Sequence, residues 1–226
     1  MENITENLKN ILDILRAAEK NYGRRIYLVG ATKTRTIGEI EAAFDAGLEI
    51  IGENRPQEFR DKFPFYPPGV EKHFIGHIQE NKIKYVAGKA SLIHSCDSLG
   101  FAVALNACAK KIDAVQDVLI EVNISREKDK HGFSPSEVFA AASELKTLEN
   151  LRYKGLMTVL PRLTESELAP YCAEMKELFD GLKAEVFPSF SYLSMGMSED
   201  FETAIRFGSN MVRIGRGIFG ERNGKN

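Results

Sequence analysis

Lys33 closes the apolar run that begins at Tyr27, and a helix-start signal follows it at once. Packing gives a strand no reason to finish on a primary amine. A lysine that reacts with a carbonyl must instead be carried out of the core and held at a rim. A second group of residues lies far along the chain. Ser194-Met-Gly-Met-Ser198 and Arg213-Ile-Gly-Arg-Gly217 each end an apolar segment, and their glycines permit close backbone approach to a ligand. Serine hydroxyls, glycine amides and arginines at a helix start suit an anion.

The elements that must position these groups repeat eight times. Strand candidates fall at 26–31, 49–52, 73–76, 92–95, 118–123, 153–157, 192–195 and 212–214. Several are short and continuously apolar, as expected of parallel strands covered on both faces. Helical patterns separate them; one carries Leu168, Tyr171, Cys172, Met175, Leu178, Phe179 and Leu182 at three-four spacing. Thr36-x-x-Glu39, Ser134-x-x-Glu137 and Thr164-x-x-Glu167 fit capping boxes, and Pro135 falls where a missing N–H is harmless. Asp97 reads as the cap of the helix through Leu99, Val103 and Leu105, and Ser198 as the cap of the helix beginning at Glu199-Asp200, with both acids facing solvent. Eight βα units predict an α/β fold: a single (β/α)8 TIM-type barrel over about 25–222, preceded by an extra N-terminal helix over about 1–22. No glycine-rich dinucleotide fingerprint follows the first strand, which argues against an open doubly wound sheet. The segment from Phe63 to Gly69 reads as a rigid loop within one domain.

In a barrel the chemistry sits at the C-terminal strand ends. Taken in order, those ends offer Lys33, Glu53 and Asn54, His77, Ser95 and Asp97, Asn123, Met157 and Thr158, Ser194 to Ser198, and Arg213 to Arg216. Barrels often bind phosphate between the last two loops. A lysine opposite a phosphate cradle suits a phosphorylated aldehyde held as a Schiff base, and pyridoxal 5′-phosphate is the common cofactor of that kind. Its aldehyde would meet Lys33 and its phosphate Ser198 and Gly215.

Composition narrows the classes. The chain has 226 residues, a formal net charge of −2 and 43% hydrophobic residues. That balance gives no electrostatic reason to expect nucleic acid, and no apolar run approaches the roughly 20 residues a membrane helix needs. Cys96, Cys108 and Cys172 are widely spaced and odd in number, which predicts reduced thiols, a cytoplasmic setting and no metal knuckle. His73 and His77 lie in a strand-like segment, where four-residue spacing does not make a zinc pair. Lys128 to His131 reads as a solvated loop beside the mouth.

The motifs form an ordered set: Val29 to Lys33; Phe44-Asp-Ala-Gly47 with Gly52-Glu-Asn54; His73-Phe-Ile-Gly-His77 with Gln79-x-Asn-Lys82; Val118 to Ile124; Lys130-x-Gly132; Gly155-Leu-Met157; Leu193 to Ser198; and Met211 to Gly215 followed by Ile218 to Arg222. This set, spanning nearly the whole chain, resembles the YggS/PROSC family of pyridoxal phosphate homeostasis proteins. The resemblance implies a fold-type III barrel like the N-terminal domain of alanine racemase, with pyridoxal 5′-phosphate on Lys33. It implies phosphate contacts from Ser198 and Gly215 and places Arg213 near the cofactor, against either the pyridine nitrogen or the phosphate. Asn54, His77, Met157, Ser194, Met197 and Arg216 complete the candidate cofactor-binding set. Relatives often carry a hydroxyl residue where this chain has Arg216, so a backbone amide or the guanidinium stands in for that contact. They often carry proline where this chain has His77.

The implied role is to hold and regulate the cofactor, affecting vitamin B6 and amino-acid balance without turnover. PLP-dependent client enzymes are the protein partners of such a role. The alternative is a PLP-dependent amino-acid racemase, which needs a second base that the sequence does not offer. A third reading is a phosphate-sugar barrel enzyme using Lys33 without cofactor. The short segment after strand eight leads to the expectation of no second domain and a monomer.

Overall fold

The computed structural model describes residues 2–221. Arg222, the last residue of the final motif, lies outside the described residues. All eight strands are present and parallel, closing in sequence order into a barrel: β1 (Tyr27–Ala31), β2 (Ile50–Glu53), β3 (Glu71–Phe74), β4 (Leu92–Cys96), β5 (Gln116–Glu121), β6 (Leu151–Met157), β7 (Tyr192–Ser194) and β8 (Met211–Ile214). Closure comes from β1 pairing with both β2 and β8, with Val29 opposite Ile50 on one side and Arg213 on the other. A barrel leaves no open sheet edge, so three- and four-residue strands suffice.

Among the described residues eight α-helices surround it: α1 (Glu2–Tyr22), α2 (Ile37–Asp45), α3 (Pro56–Lys62), α4 (Leu99–Lys111), α5 (Pro135–Leu145), α6 (Glu165–Glu185), α7 (Phe201–Arg206) and α8 (Arg216–Phe219). Between β3 and β4 the crossover is a 3₁₀ turn, Glu80–Tyr85. The capping boxes at Thr36 and Ser134 form, each serine or threonine oxygen accepting from the third helical amide while the glutamate reaches back. Glu167 likewise accepts from the Thr164 amide at 2.9 Å. Two expected caps are corrected. Ser98, not Asp97, caps α4 by accepting from the Phe101 amide at 3.2 Å. Asp200, not Ser198, stands at the N-cap position of α7. In both places Asp97 and Ser198 are turned toward the barrel mouth instead.

Two apolar cores follow from strand alternation. The larger lies between barrel and helices and includes Leu8, Ile40, Phe59, Phe74, Leu105, Met175 and Ile214. The smaller fills the barrel: Val29, Ile50, Leu92, Leu119, Met157 and Met211. Helix α1 buries Ile4, Leu8, Ile11 and Leu15 and packs against α8, where Asn7 donates to the Ile218 carbonyl at 3.2 Å. A side chain at Gly217 would press on Ile11 Cδ1 at 3.3 Å and Ile214 Cγ2 at 2.9 Å. The added N-terminal helix therefore buttresses the strand-eight loop from below. All three cysteines are free thiols, and among the described residues no helix is long and apolar enough to cross a membrane.

Candidate functional site

A cavity of about 870 Å³ opens at the C-terminal ends of the strands. Of the residues picked out in the sequence, Lys33, Asn54, Met197, Ser198, Arg213, Gly215 and Arg216 line it. Ser194 lies beneath it, fully buried and bonded to Arg213. Met157 is part of the barrel's inner core, and His77 stands on the other side of the mouth; neither lines this cavity.

Lys33 is half-buried in a turn whose next residue, Thr34, takes φ of 65°. A β-branched residue in the left-handed region has to be held there by its surroundings. The Thr34 amide donates to Glu58 Oε2 at 3.0 Å, and the Arg35 amide donates to the Thr32 carbonyl at 2.9 Å. Lys62 Nζ binds the Thr32 carbonyl at 3.2 Å and the carboxylates of Glu53 and Glu58, each at 2.8 Å. Glu53 is fully buried and also accepts from the Asn54 amide at 2.7 Å. The Lys33 turn is thus clamped by charged neighbours. Lys33 itself has no hydrogen-bond partner and no carboxylate within 4.0 Å among the described residues. Lys62 carries the charge pairing and leaves the Lys33 amine uncommitted.

Across the mouth, Ser198 Oγ accepts from the Gly217 amide at 3.2 Å, tying loop seven to the start of α8. Arg216 pairs with Glu199 on the rim, with Glu221 at 3.7 Å. Both acids line the cavity: Glu199 is exposed there, and Asp200 is turned further in. Asp200 is half-buried and accepts from the Met197 amide. Arg35, which the sequence reading passed over, also lines the cavity. Its buried guanidinium donates to the Gly220 carbonyl at 2.5 Å and to Glu39 at 3.2 Å.

Arg213 is 4% exposed. It donates to the Ser194 carbonyl at 3.0 Å, to Ser194 Oγ at 2.7 Å and to the Thr158 carbonyl at 2.8 Å. Burial draws its pKa down to about 10, opposed by the charges of Glu121 and Asp200, so the group stays a cation at neutral pH. Below it a chain of polar contacts crosses the barrel interior. Ser194 Oγ lies 3.4 Å from His94 Nδ1, His94 Nε2 lies 3.0 Å from His73 Nδ1, and His73 Nε2 lies 2.9 Å from Glu71 Oε1. The ends permit one continuous proton order, because arginine only donates and a carboxylate only accepts. In that order the Ser194 hydroxyl donates to His94, His94 to His73, and His73 to Glu71. His94 is held neutral, its pKa strongly depressed by burial and by the neighbouring His73 and Arg213.

The sequence reading also missed Glu121. It falls two residues after Leu119 and so shares the inward face of β5. Burial first, and Asp97 second, push its carboxyl up to about 7. The available signal was strand parity; a strand extended to Asn123 hid it. Beyond Glu121, Asn123 Nδ2 ties the following loop by donating to the carbonyls of Glu127 at 2.8 Å and Lys130 at 3.2 Å.

The closed barrel with an uncommitted lysine after β1 and an arginine inside β8 defines a class, the barrels of alanine racemase type. The chain matches the alanine racemase N-terminal domain family over residues 3–223. An alanine racemase of Clostridium difficile shares the fold, with a TM-score of 0.77 at 20% identity, over 99% of this chain and 57% of that one. Pyridoxal phosphate homeostasis proteins of Aquifex aeolicus and Escherichia coli strain K12 are similar at 41% and 37% identity. The alignments cover 97% and 98% of this chain and 99% and 98% of theirs. PipY of Synechococcus elongatus, solved with PLP bound, superposes with a TM-score of 0.83 at 26% identity, over 96% of this chain and 100% of that one. The chain belongs to the pyridoxal phosphate homeostasis protein family.

Proposed function

We propose that this chain holds pyridoxal 5′-phosphate as a Schiff base on Lys33 and serves the intracellular supply of that cofactor, with effects on amino-acid balance. The observation that carries the reading is the uncommitted amine of Lys33 in a cavity that faces a buried arginine. The PLP-bound PipY relative supports it. In this reading Ser198, Gly215 and the Arg216 amide at the start of α8 receive the phosphate, the Gly217 amide being held by Ser198 Oγ. The first turn of any helix leaves amides without intrahelical partners. Arg216, paired with Glu199 at the rim, contributes through its backbone. Arg213 lies deeper, within β8, which favours contact with the ring edge over the phosphate. An arginine there keeps a pyridine nitrogen unprotonated and makes the ring a poor electron sink, which suits storage better than turnover. When bound, the cofactor supplies an aldehyde masked on an amine, available by exchange to PLP-dependent client enzymes.

Visible absorbance during titration with pyridoxal 5′-phosphate tests this. The wild-type chain should develop a saturable Schiff-base band at one equivalent, and Lys33→Ala should not; an identical band in the variant sinks the reading. The second reading is racemase-like turnover, for which Glu121 is a candidate acid by its place on the inward face of β5, with burial pushing its carboxyl up. Exchange of amino-acid α-protons in deuterated water separates the two. Rapid exchange that Glu121→Gln abolishes would make the chain an enzyme.

A further inference from the structure

We propose that His77, Asp97 and His131 form a site for one divalent transition-metal ion, zinc foremost, on the β3–β5 side of the barrel mouth. The three residues come from three different βα loops. Asp97 Oδ2 lies 2.8 Å from His77 Nδ1 and 3.8 Å from His131 Nδ1, and the ligand atoms all lie within 4.8 Å of one another. A zinc ion with nitrogen and oxygen ligands near 2.1 Å needs those atoms about 3.4 Å apart in a tetrahedron. The two distances from Asp97 straddle that value. Two imidazoles and one carboxylate are also a donor set that transition metals favour over calcium or magnesium.

Charge gives an independent reason. The Asp97 side chain is only 9% exposed, yet among the described residues no lysine or arginine lies within 4.0 Å of it. A nearly buried carboxylate facing only imidazoles lacks a permanent counter-charge. A cation bound at the two histidines supplies the missing charge.

The site is half built and half closing. His77 follows Gly76, where a side chain would strike the Asn54 carbonyl at 2.2 Å, so the backbone before His77 is pressed against its neighbour and fixed. His131 is 57% exposed, on the loop tied by Asn123. Its ring stacks on His77 with centroids 3.8 Å apart and 7° between planes. Parallel rings direct their lone pairs side by side, so the stack opens as the ion enters and His131 is the ligand that moves. A metal at His77 Nδ1 requires the ring proton to sit on Nε2. Three protein ligands leave a fourth position open to water. The proposal does not depend on the cofactor reading, since none of the three side chains lines the Lys33 cavity.

The test is titration of the full chain with zinc alone under chelator-buffered conditions, followed by cobalt substitution. One ion per chain should bind with Kd of about 1 μM or tighter. His131→Ala, on an exposed loop, and Asp97→Asn should each weaken it by about 10- to 100-fold or more. Cobalt should give visible bands of a four- or five-coordinate nitrogen–oxygen site, without thiolate charge transfer, and unchanged in Lys33→Ala and Cys108→Ser. Circular dichroism of the variants confirms that they fold. Absence of stoichiometric binding, affinity unchanged in both ligand variants, or a thiolate band lost in Cys108→Ser would overturn the proposal.

Discussion

Replacing Lys62 by methionine should destabilise the protein far more than a lysine near the surface normally would. Lys62 is 15% exposed, whereas its partner Glu53 is 0% exposed. Methionine preserves the apolar stem but strands the Glu53 carboxylate in the interior, where its remaining donors are the Asn54 amide at 2.7 Å and Thr32 Oγ1 at 3.2 Å. Glu58 loses the same ammonium and keeps Arg55 at 3.0 Å. Breaking one side of a buried ion pair costs about 3–5 kcal/mol. The two surviving hydrogen bonds place the expectation at the lower end, about 3 kcal/mol, or about 6–12 °C in melting temperature at this chain length. Urea unfolding gives the first figure and calorimetry the second. The double variant Glu53→Gln/Lys62→Met should recover to within about 1 kcal/mol of wild type, because a neutral amide still accepts from Asn54 and no charge is stranded. The single variant should also form its Lys33 adduct more slowly, since the Thr32 carbonyl beside Lys33 loses one of its two donors and keeps only the Arg35 amide. Wild-type stability in Lys62→Met, or a double variant worse than the single, would refute the clamp.

Three further outcomes follow from the barrel interior. Ser194→Ala removes an acceptor from the Arg213 cation and a donor to His94, and should lower stability by about 1–3 kcal/mol in urea unfolding while weakening cofactor binding. His94→Leu interrupts the same chain without touching the cavity, and should weaken cofactor binding less than Ser194→Ala does. Glu121 is held near 7 when folded and returns to the ordinary carboxylate range when unfolded, so the folded state binds the extra proton between those values. Its contribution is present at acid pH and is lost as pH rises through about 7. Glu121→Gln should therefore gain on wild type by up to about 3 kcal/mol between pH 5 and 9; parallel stability curves would contradict the assignment.

The barrel was legible because eight short apolar runs, each followed by a cap or a polar turn, admit few closures. The strand-end rule located the residues around the cavity, Lys33 and Arg213 among them, without any knowledge of register. What it could not supply was which side chains turn inward below the mouth. His73, His94 and Glu121 depend on strand parity, and parity is disturbed by register shifts between Ile93 and Cys96 and between Val118 and Leu119. The shift in β4 precedes the place where Asp97 turns into the mouth and Ser98 takes the cap. His77, Asp97 and His131 meet only because three loops converge, which no local spacing records. Asp200 was expected outside for electrostatic reasons; its hydrogen bond to the Met197 amide holds it at the cavity wall instead.

In the proposed function Lys33, and no other amine, carries the cofactor. The direct measurement is borohydride reduction of the protein loaded with pyridoxal 5′-phosphate, followed by peptide mass spectrometry. One reduced pyridoxyl group per chain is expected, on the peptide containing Lys33. A group on Lys62 or on a surface lysine, or an unmodified Lys33 in protein that still shows the visible band, would contradict it.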